Sequence, residues 1–202
     1  MDCNCPAPTS LTEIVAEACG VDLKQIQKLA FQRDGSIFDS GATSDILELS
    51  SWQGFTSASD DTKIVITPLI GGDPTIEAGE AITTGGGDNS TLNGVEEVEG
   101  VNPSSFSCLF KSLSSTAEKQ LKALICEKNL VVYLFLQGGR IAVAELSAQT
   151  HTGFPIQSVF VSDRNNAGFG TKDTVNMSFE LQEGWSDNLV VLKPNFNPLT
   201  EL

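Results

Sequence analysis

The apolar and polar positions of the chain change period several times in its first half and settle into regular alternation in its second. Residues 25–33 set Leu29 and Phe31 against Lys28, Ala30 and Gln32, a strand signature that ends at the turn-forming Asp34-Gly35. Ile46, Leu49, Trp52 and Phe55 recur every three residues, which predicts a short helix over 44–55. Residues 63–67, Lys-Ile-Val-Ile-Thr, read as a strand stopped by Pro68. Ahead of these, Ser10-Leu11-Thr12-Glu13 reads as a capping box. Leu11, Ile14, Val15 and Ala18 follow at helical spacing and Gly20 suits the stop, predicting a short N-terminal helix.

In the second half Phe106, Cys108 and Phe110 alternate with Ser105, Ser107 and Leu109 as a strand. Ser115-Thr116-Ala117-Glu118 reads as a second capping box, opening a helix whose apolar face is Ala117, Leu121, Leu124 and Ile125. Residues 130–136 and 140–146, joined through Gln137-Gly138-Gly139, form a hairpin whose glycines supply positive φ. Strands over 156–162 and 174–181 flank the turn-rich residues 163–170, and Val175, Met177, Phe179 and Leu181 alternate with polar neighbours, so one face is buried. Residues 189–192 make a last strand, and the prolines of Lys193-Pro194-Asn195-Phe196-Asn197-Pro198-Leu199 hold the tail extended. The pattern predicts a mainly β (α+β) fold, a mostly antiparallel β domain with one packed helix, rather than alternating βαβ units.

Residues 71–104 break the pattern. They carry Gly71-Gly72, Gly85-Gly86-Gly87 and Asn93-Gly94 with little apolar periodicity, and read as a long loop or extended hairpin. Loops longer than about 12–15 residues in a compact domain are usually functional or disordered. Between Ile64 and Phe110 lie seven acids (Asp73, Glu77, Glu80, Asp88, Glu96, Glu97, Glu99) and no Lys or Arg, half of the net charge of −14 carried by the 202 residues. The domain organisation expected is an N-terminal arm with a short helix (1–21), a β domain (22–192) containing this acidic loop, and a C-terminal arm (193–202).

That charge argues against gripping nucleic acid or anionic lipid, both of which need Lys and Arg to neutralise phosphate. The longest strongly apolar run, residues 130–136, is far shorter than the roughly 20 residues that span a bilayer, so no membrane insertion is expected. The start of the sequence lacks a basic, then apolar, leader, which favours synthesis in the cytosol and makes the five cysteines thiols.

Catalytic and cofactor chemistry finds little support. His151 is the only histidine, so two-His zinc motifs are excluded, and its polar surroundings suggest an ordinary exposed residue. Cys3 and Cys5 with Cys19 fall short of a four-ligand site, while Cys108 and Cys126 sit in apolar patterns as small core residues. An EF-hand set on Asn89 places Asn93 and Gly94 correctly but puts Gly100 where a bidentate Glu belongs. Gly85-Gly86-Gly87-Asp88 lacks the Gly-Lys-Ser/Thr of a phosphate cradle, and the adjacent Glu96 and Glu97 of an extended segment point to opposite faces. No cofactor, metal or enzymatic activity is expected.

The order of elements resembles bacteriophage tail tube proteins, and more narrowly virion proteins of Bacteroidetes phages and prophages. The residues that carry this are Gln25-Ile26-Gln27-Lys28-Leu29-Ala30-Phe31-Gln32-Arg33, Asp61-Thr62-Lys63-Ile64-Val65-Ile66-Thr67-Pro68, and Gly85-Gly86-Gly87-Asp88-Asn89-Ser90-Thr91-Leu92-Asn93-Gly94. The Val131-Val132-Tyr133-Leu134-Phe135 to Gly139-Arg140-Ile141 hairpin and the run from Gly184-Trp185-Ser186-Asp187 to Phe196-Asn197-Pro198-Leu199 add to it. The resemblance implies an antiparallel β-sandwich or barrel of tail-tube type with one flanking helix, in a structural virion protein that self-assembles into rings, commonly hexameric. Their sheets join into an inner barrel and the rings stack into a tube through which genome DNA passes without specific binding. The partners implied are the chain itself, other tail proteins at the tube ends, and a tail sheath where one surrounds the tube. On this reading Gly85, Gly86, Gly87, Asp88, Asn89, Asn93 and Gly94 are candidate ring-stacking residues, with Phe196 and Leu199 as apolar anchors of a docking arm. A hexamer would carry about −84, which lets DNA phosphate slide past. Two other readings stay open: another virion component with the same sandwich (tail completion, baseplate or head decoration), and a carbohydrate-binding module or enzyme using Trp52, Trp185 and the acidic loop.

Overall fold

The computed structural model describes residues 10, 14, 21–42, 44–87 and 89–202. The N-terminal helix expected from the capping box, Cys3, Cys5, Cys19 and Asp88 lie outside the described residues. In chain order the elements are β1 (Ile26–Arg33), β2 (Phe38–Asp39), α1 (Leu49–Ser57), β3 (Val65–Ile66), β4 (Thr75–Glu77), β5 (Ala81–Thr84), β6 (Glu97–Val101), β7 (Ser104–Lys111), α2 (Ser115–Ala123), β8 (Leu130–Leu136), β9 (Arg140–Ser147), β10 (Thr150–Thr152), β11 (Phe154–Val161), β12 (Thr174–Leu181) and β13 (Leu189–Leu192). All strand pairs are antiparallel, and the molecule is mostly β with helices on its flanks, as the sequence pattern predicts.

The apolar run Leu130–Leu136 is β8, buried along its whole length. It is the wall between two cores. Leu130, Val132, Leu134 and Leu136 face one, with Phe106, Phe110, Phe154, Met177 and Phe179 opposite; Val131, Tyr133 and Phe135 face the other, with Phe38, Ile46, Trp52 and Phe196. A strand buried on both faces needs a continuous apolar run rather than alternation, which is what this sequence provides. One edge of β8 pairs along its length with β1; the other is shared, β9 taking Leu134–Leu136 and β11 taking residues 130–132. Between β10 and β11 the chain bends at Gly153, where a Cβ would lie 3.0 Å from Val131 Cβ and Val132 N.

The first core closes over β7 and β12, whose alternating residues match the predicted face. The second closes through α1, where Trp52 lies tilted against Phe38 at 4.6 Å and meets Tyr133 and Phe135 edge-on, its Nε1–H donating to the Ile46 carbonyl at 2.9 Å. One buried polar pair bridges to this layer. Tyr133 Oη donates to Gln32 Oε1 (2.8 Å) and Gln32 Nε2 donates to the Thr62 carbonyl (2.6 Å), while burial pushes the Tyr133 phenol up.

Several sequence expectations need correction. The helix expected over 44–55 starts only at Leu49, because the Asp45 carboxylate accepts from Leu47 N–H (2.9 Å) and holds a turn there. The α2 cap is Ser114, whose hydroxyl accepts from Ala117 N–H at 3.1 Å, which frees Glu118 for ion pairing. Ile125 and Cys126 are exposed, not core, since α2 tightens into a 3-10 turn at Leu124–Cys126 and rotates them off the buried face. Cys108 is a core residue, with its thiol pushed up to about 12 by burial. His151 is not an exposed linker residue: it lies in β10, paired with β9 and β2, is 8% exposed, and its Nδ1 has no hydrogen-bond partner among the described residues.

Candidate assembly surface

Residues 71–104 form a ribbon. β4 pairs with β7 at the end of the main sheet, Ile76 opposite Phe106, and the same two chain segments continue outward as the separate pair β5–β6. The extended-hairpin alternative of the sequence reading describes this segment, and the plain loop does not. The ribbon kinks where Asn102 N–H donates to the Glu80 carbonyl (2.9 Å) and Gly79 passes so close that a Cβ would overlap the Asn102 carbonyl. Gly79 therefore fixes the angle at which the ribbon leaves the body. Nothing in its local sequence marks it, because the constraint comes from the β6–β7 connection at Asn102 and Pro103, more than twenty residues away.

Beyond the kink, about 13 Å of ladder at the usual rise per residue carries a tip loop. The register pairs Ala81 with Val101 and Thr83 with Val98 across a bulge, so these four residues share one face, and all are exposed. Val98 is 60% exposed, and Ile82, Val95 and Leu92 add further exposed apolar surface. A two-stranded ribbon with both faces in water is at best marginally stable by itself. The candidate residues Gly85, Gly86, Gly87, Asn89, Asn93 and Gly94 all fall in the tip loop. Gly85, at φ +89°, lies where a Cβ would meet Val95 O at 2.5 Å, and Asn93 adopts φ 62° in the turn before β6. The Thr83 hydroxyl donates to Glu96 Oε1 at 2.7 Å, and no base stands between residues 64 and 110 to neutralise the acids.

Phe196 and Leu199 are placed elsewhere. Phe196 is 8% exposed within the second core, and Leu199 and Leu202 pack against it. Backbone and side-chain bonds fix this tail: Asn195 N–H to the Leu47 carbonyl (3.0 Å), Asn195 Nδ2 to Glu48 Oε1 (2.6 Å), Lys193 Nζ to the Gly138 carbonyl (2.6 Å) and Lys28 Nζ to the Leu202 carbonyl (2.9 Å). The two apolar anchors of the C-terminal arm thus seat on their own chain.

A second projecting feature is the loop between β11 and β12, which the sequence reading passed over as turn-rich. Its base is clamped to α2. Glu118 accepts from Lys122 Nζ (2.9 Å) and from Arg164 Nη2 (2.9 Å), Lys122 also reaches Asp163 (2.6 Å), and Arg164 Nη2 donates to the Leu113 carbonyl (2.8 Å). The hydrogen bonds from Lys122 and Arg164 hold the Glu118 carboxyl below the usual carboxylate range. Trp185 is half-buried, edge-on to Phe154 at 5.3 Å with Nε1 donating to Ser104 Oγ, and Trp52 is wholly buried. Trp52 therefore presents no open aromatic face on which a sugar ring could stack. Among the described residues no group of three or more His, Cys, Asp or Glu is arranged to hold a metal ion, and no helix is long and apolar enough to cross a membrane.

No family model matches the chain, and no curated protein matches it. Among solved structures it is similar to a chain in the virion of a native gene transfer agent particle (TM-score 0.34, 10% identity, covering 64% of this chain and 88% of that one). It is also similar to a chain in the tail of an empty gene transfer agent particle with C6 symmetry (0.30, 10%, 59% and 77%). A third is from the six-fold symmetrised baseplate of the anti-feeding prophage (0.32, 14%, 90% and 100%). All three TM-scores lie below 0.5, too low to carry an argument about this chain.

Proposed function

We propose that this chain is a structural subunit of a phage-type tail that assembles with copies of itself into rings, and that stacked rings form a tube for DNA. The observation that carries the proposal is the β5–β6 ribbon. It extends the main sheet's own strands into solvent, exposes the apolar side chains of Ala81, Val98 and Val101 on one face, and carries acids with no base among them in the sequence. A ribbon of this kind gains stability when its exposed face is covered, and a neighbouring ring supplies the cover. Among the described residues the outer strands β4 and β13 each pair along one edge only, which leaves an edge at which a neighbour's sheet can add. The net charge of −14 suits a conduit that DNA phosphate passes without sticking.

The test is assembly of the whole chain, followed by sedimentation and negative-stain microscopy, compared with a Val98→Asp/Val101→Asp variant. Both residues are exposed, so the variant keeps the wild-type melting temperature. The proposal requires wild-type rings or tubes and their loss in the variant; a wild type that stays monomeric at high concentration overturns it. Copy number per particle separates a tube subunit, present in many tens, from a completion or baseplate component present in one or two rings.

A further inference from the structure

Phe169 is 109% exposed, at the tip of Gly168-Phe169-Gly170, between glycines at φ +96° and +85°. The loop that carries it is held in shape below the tip. Asn165 and Thr174 exchange backbone hydrogen bonds at 2.8 and 2.9 Å, Asn166 Nδ2 donates to Asp173 Oδ1 (2.6 Å), Gly168 N–H donates to Asn166 Oδ1 (3.0 Å), and Thr171 Oγ1 donates to the Gly168 carbonyl (2.9 Å). A phenyl ring held out on a braced loop has much of the backbone ordering cost already met, a condition that favours a single aromatic as an interface anchor.

The same chain contains a cleft of matching size. Between β3 and α2 lies a cavity of about 170 Å³ lined by Phe31, Val65, Pro68, Leu121 and Leu124, with the exposed Gln120 at its rim. An apolar cavity of about 150 Å³ is enough to take up benzene. The cleft and the loop lie on different flanks of α2: Glu118 and Lys122 hold the loop, whereas Gln120 and Leu124 face the cleft. The chain's own Phe169 stands in solvent, so the cleft is open to the ring of another copy. Charge agrees with that choice. Lys172, three residues after Phe169, is exposed and without an ion pair among the described residues. Asp60 and Asp61 border the adjoining end of the cleft with Lys63, where Arg33 pairs with Asp61 and Asp60 has no ion pair among the described residues.

We infer that Phe169 of one copy inserts into the β3–α2 cleft of the next, with Lys172 set against Asp60, as the side-to-side contact within a ring. This rests on the self-assembly reading and names its lateral interface. Knob and socket are different patches, so the contact is head-to-tail and closes into a ring when the rotation allows.

The experiment uses the whole chain and two variants at exposed positions, Phe169→Ala (knob removed) and Gln120→Trp (socket filled), with melting temperatures confirming that both fold as wild type does. Burial of one phenyl ring makes the expected loss in association about tenfold to a hundredfold in either variant by sedimentation velocity. An equimolar mixture retains one intact knob and one intact socket per pair, so it forms dimers that cannot extend. Wild-type assembly with Phe169→Ala associating within about twofold of it, or a mixture that shows no dimers, overturns this interface and leaves the assembly reading standing. A wild type that never associates overturns both.

Discussion

Removal of the Phe196 side chain separates two uses of the C-terminal arm. The resemblance to tail tube proteins implies an arm that docks on a neighbour, whereas the structure buries Phe196 in its own second core at 8% exposure beside Leu199 and Leu202. Phe→Ala in a core costs about 3–5 kcal/mol, and the lower end applies here because the site is peripheral and can partly collapse. For a chain of this size about 3 kcal/mol corresponds to a melting temperature lower by roughly 6–12 °C. Chemical and thermal unfolding of Phe196→Ala at several protein concentrations measures it. The loss should be the same at concentrations where the protein is monomeric, since the contact is made within one chain. A variant whose monomer is as stable as wild type, with the defect appearing only on assembly, would refute the intramolecular seat and return the arm to a docking role.

Three further outcomes are expected. Neutralising Glu77, Glu80 and Glu97 to glutamine should change ring stacking and leave the monomer's melting temperature unaltered; unchanged tube assembly counts against a stacking role for the ribbon's acids. Glu118, whose carboxyl is held low by Lys122 and Arg164, contributes stability that is present above the ordinary glutamate pKa of about 4.3 and is lost as pH falls through its lowered folded value. Protection factors in residues 163–173, taken relative to the intrinsic exchange rate at each pH, should therefore fall on acidification in that window, and Arg164→Met should flatten the response. Cys126 is exposed while Cys108 is buried with its thiol raised to about 12. Peptide mapping after brief alkylation should find Cys126 modified and Cys108 protected until the chain unfolds.

The parts of the fold that were legible in the sequence are those where local pattern and tertiary burial agree. Thr174–Leu181 alternates because one face lies on the core, and its bounds are those of the expected strand. The 130–136 run reads as a buried strand for the same reason, although its place between two cores could be seen only once α1 and the C-terminal tail covered its second face. Failures arose where distant chain decides. His151 sits in a polar sequence and becomes buried because β2 and β9 flank it. The pattern assigned no face to Phe160, which turns outward because a local bulge with Ser158 at φ 55° shifts the inward set of β11 from Phe154 and Ile156 to Val159 and Val161. Composition marks the glycines of the tip loop as a turn, whereas Gly79 and Phe169 carry no local signal: one is constrained by the Asn102 carbonyl between β6 and β7 and the other is notable only for being uncovered.

Electron microscopy of the purified full chain at high concentration tests the central claim most directly. The account predicts closed rings and short stacked tubes whose outer contacts involve the β5–β6 ribbon, visible as density bridging successive rings. A sample that remains strictly monomeric, with the ribbon free in every particle, would contradict it.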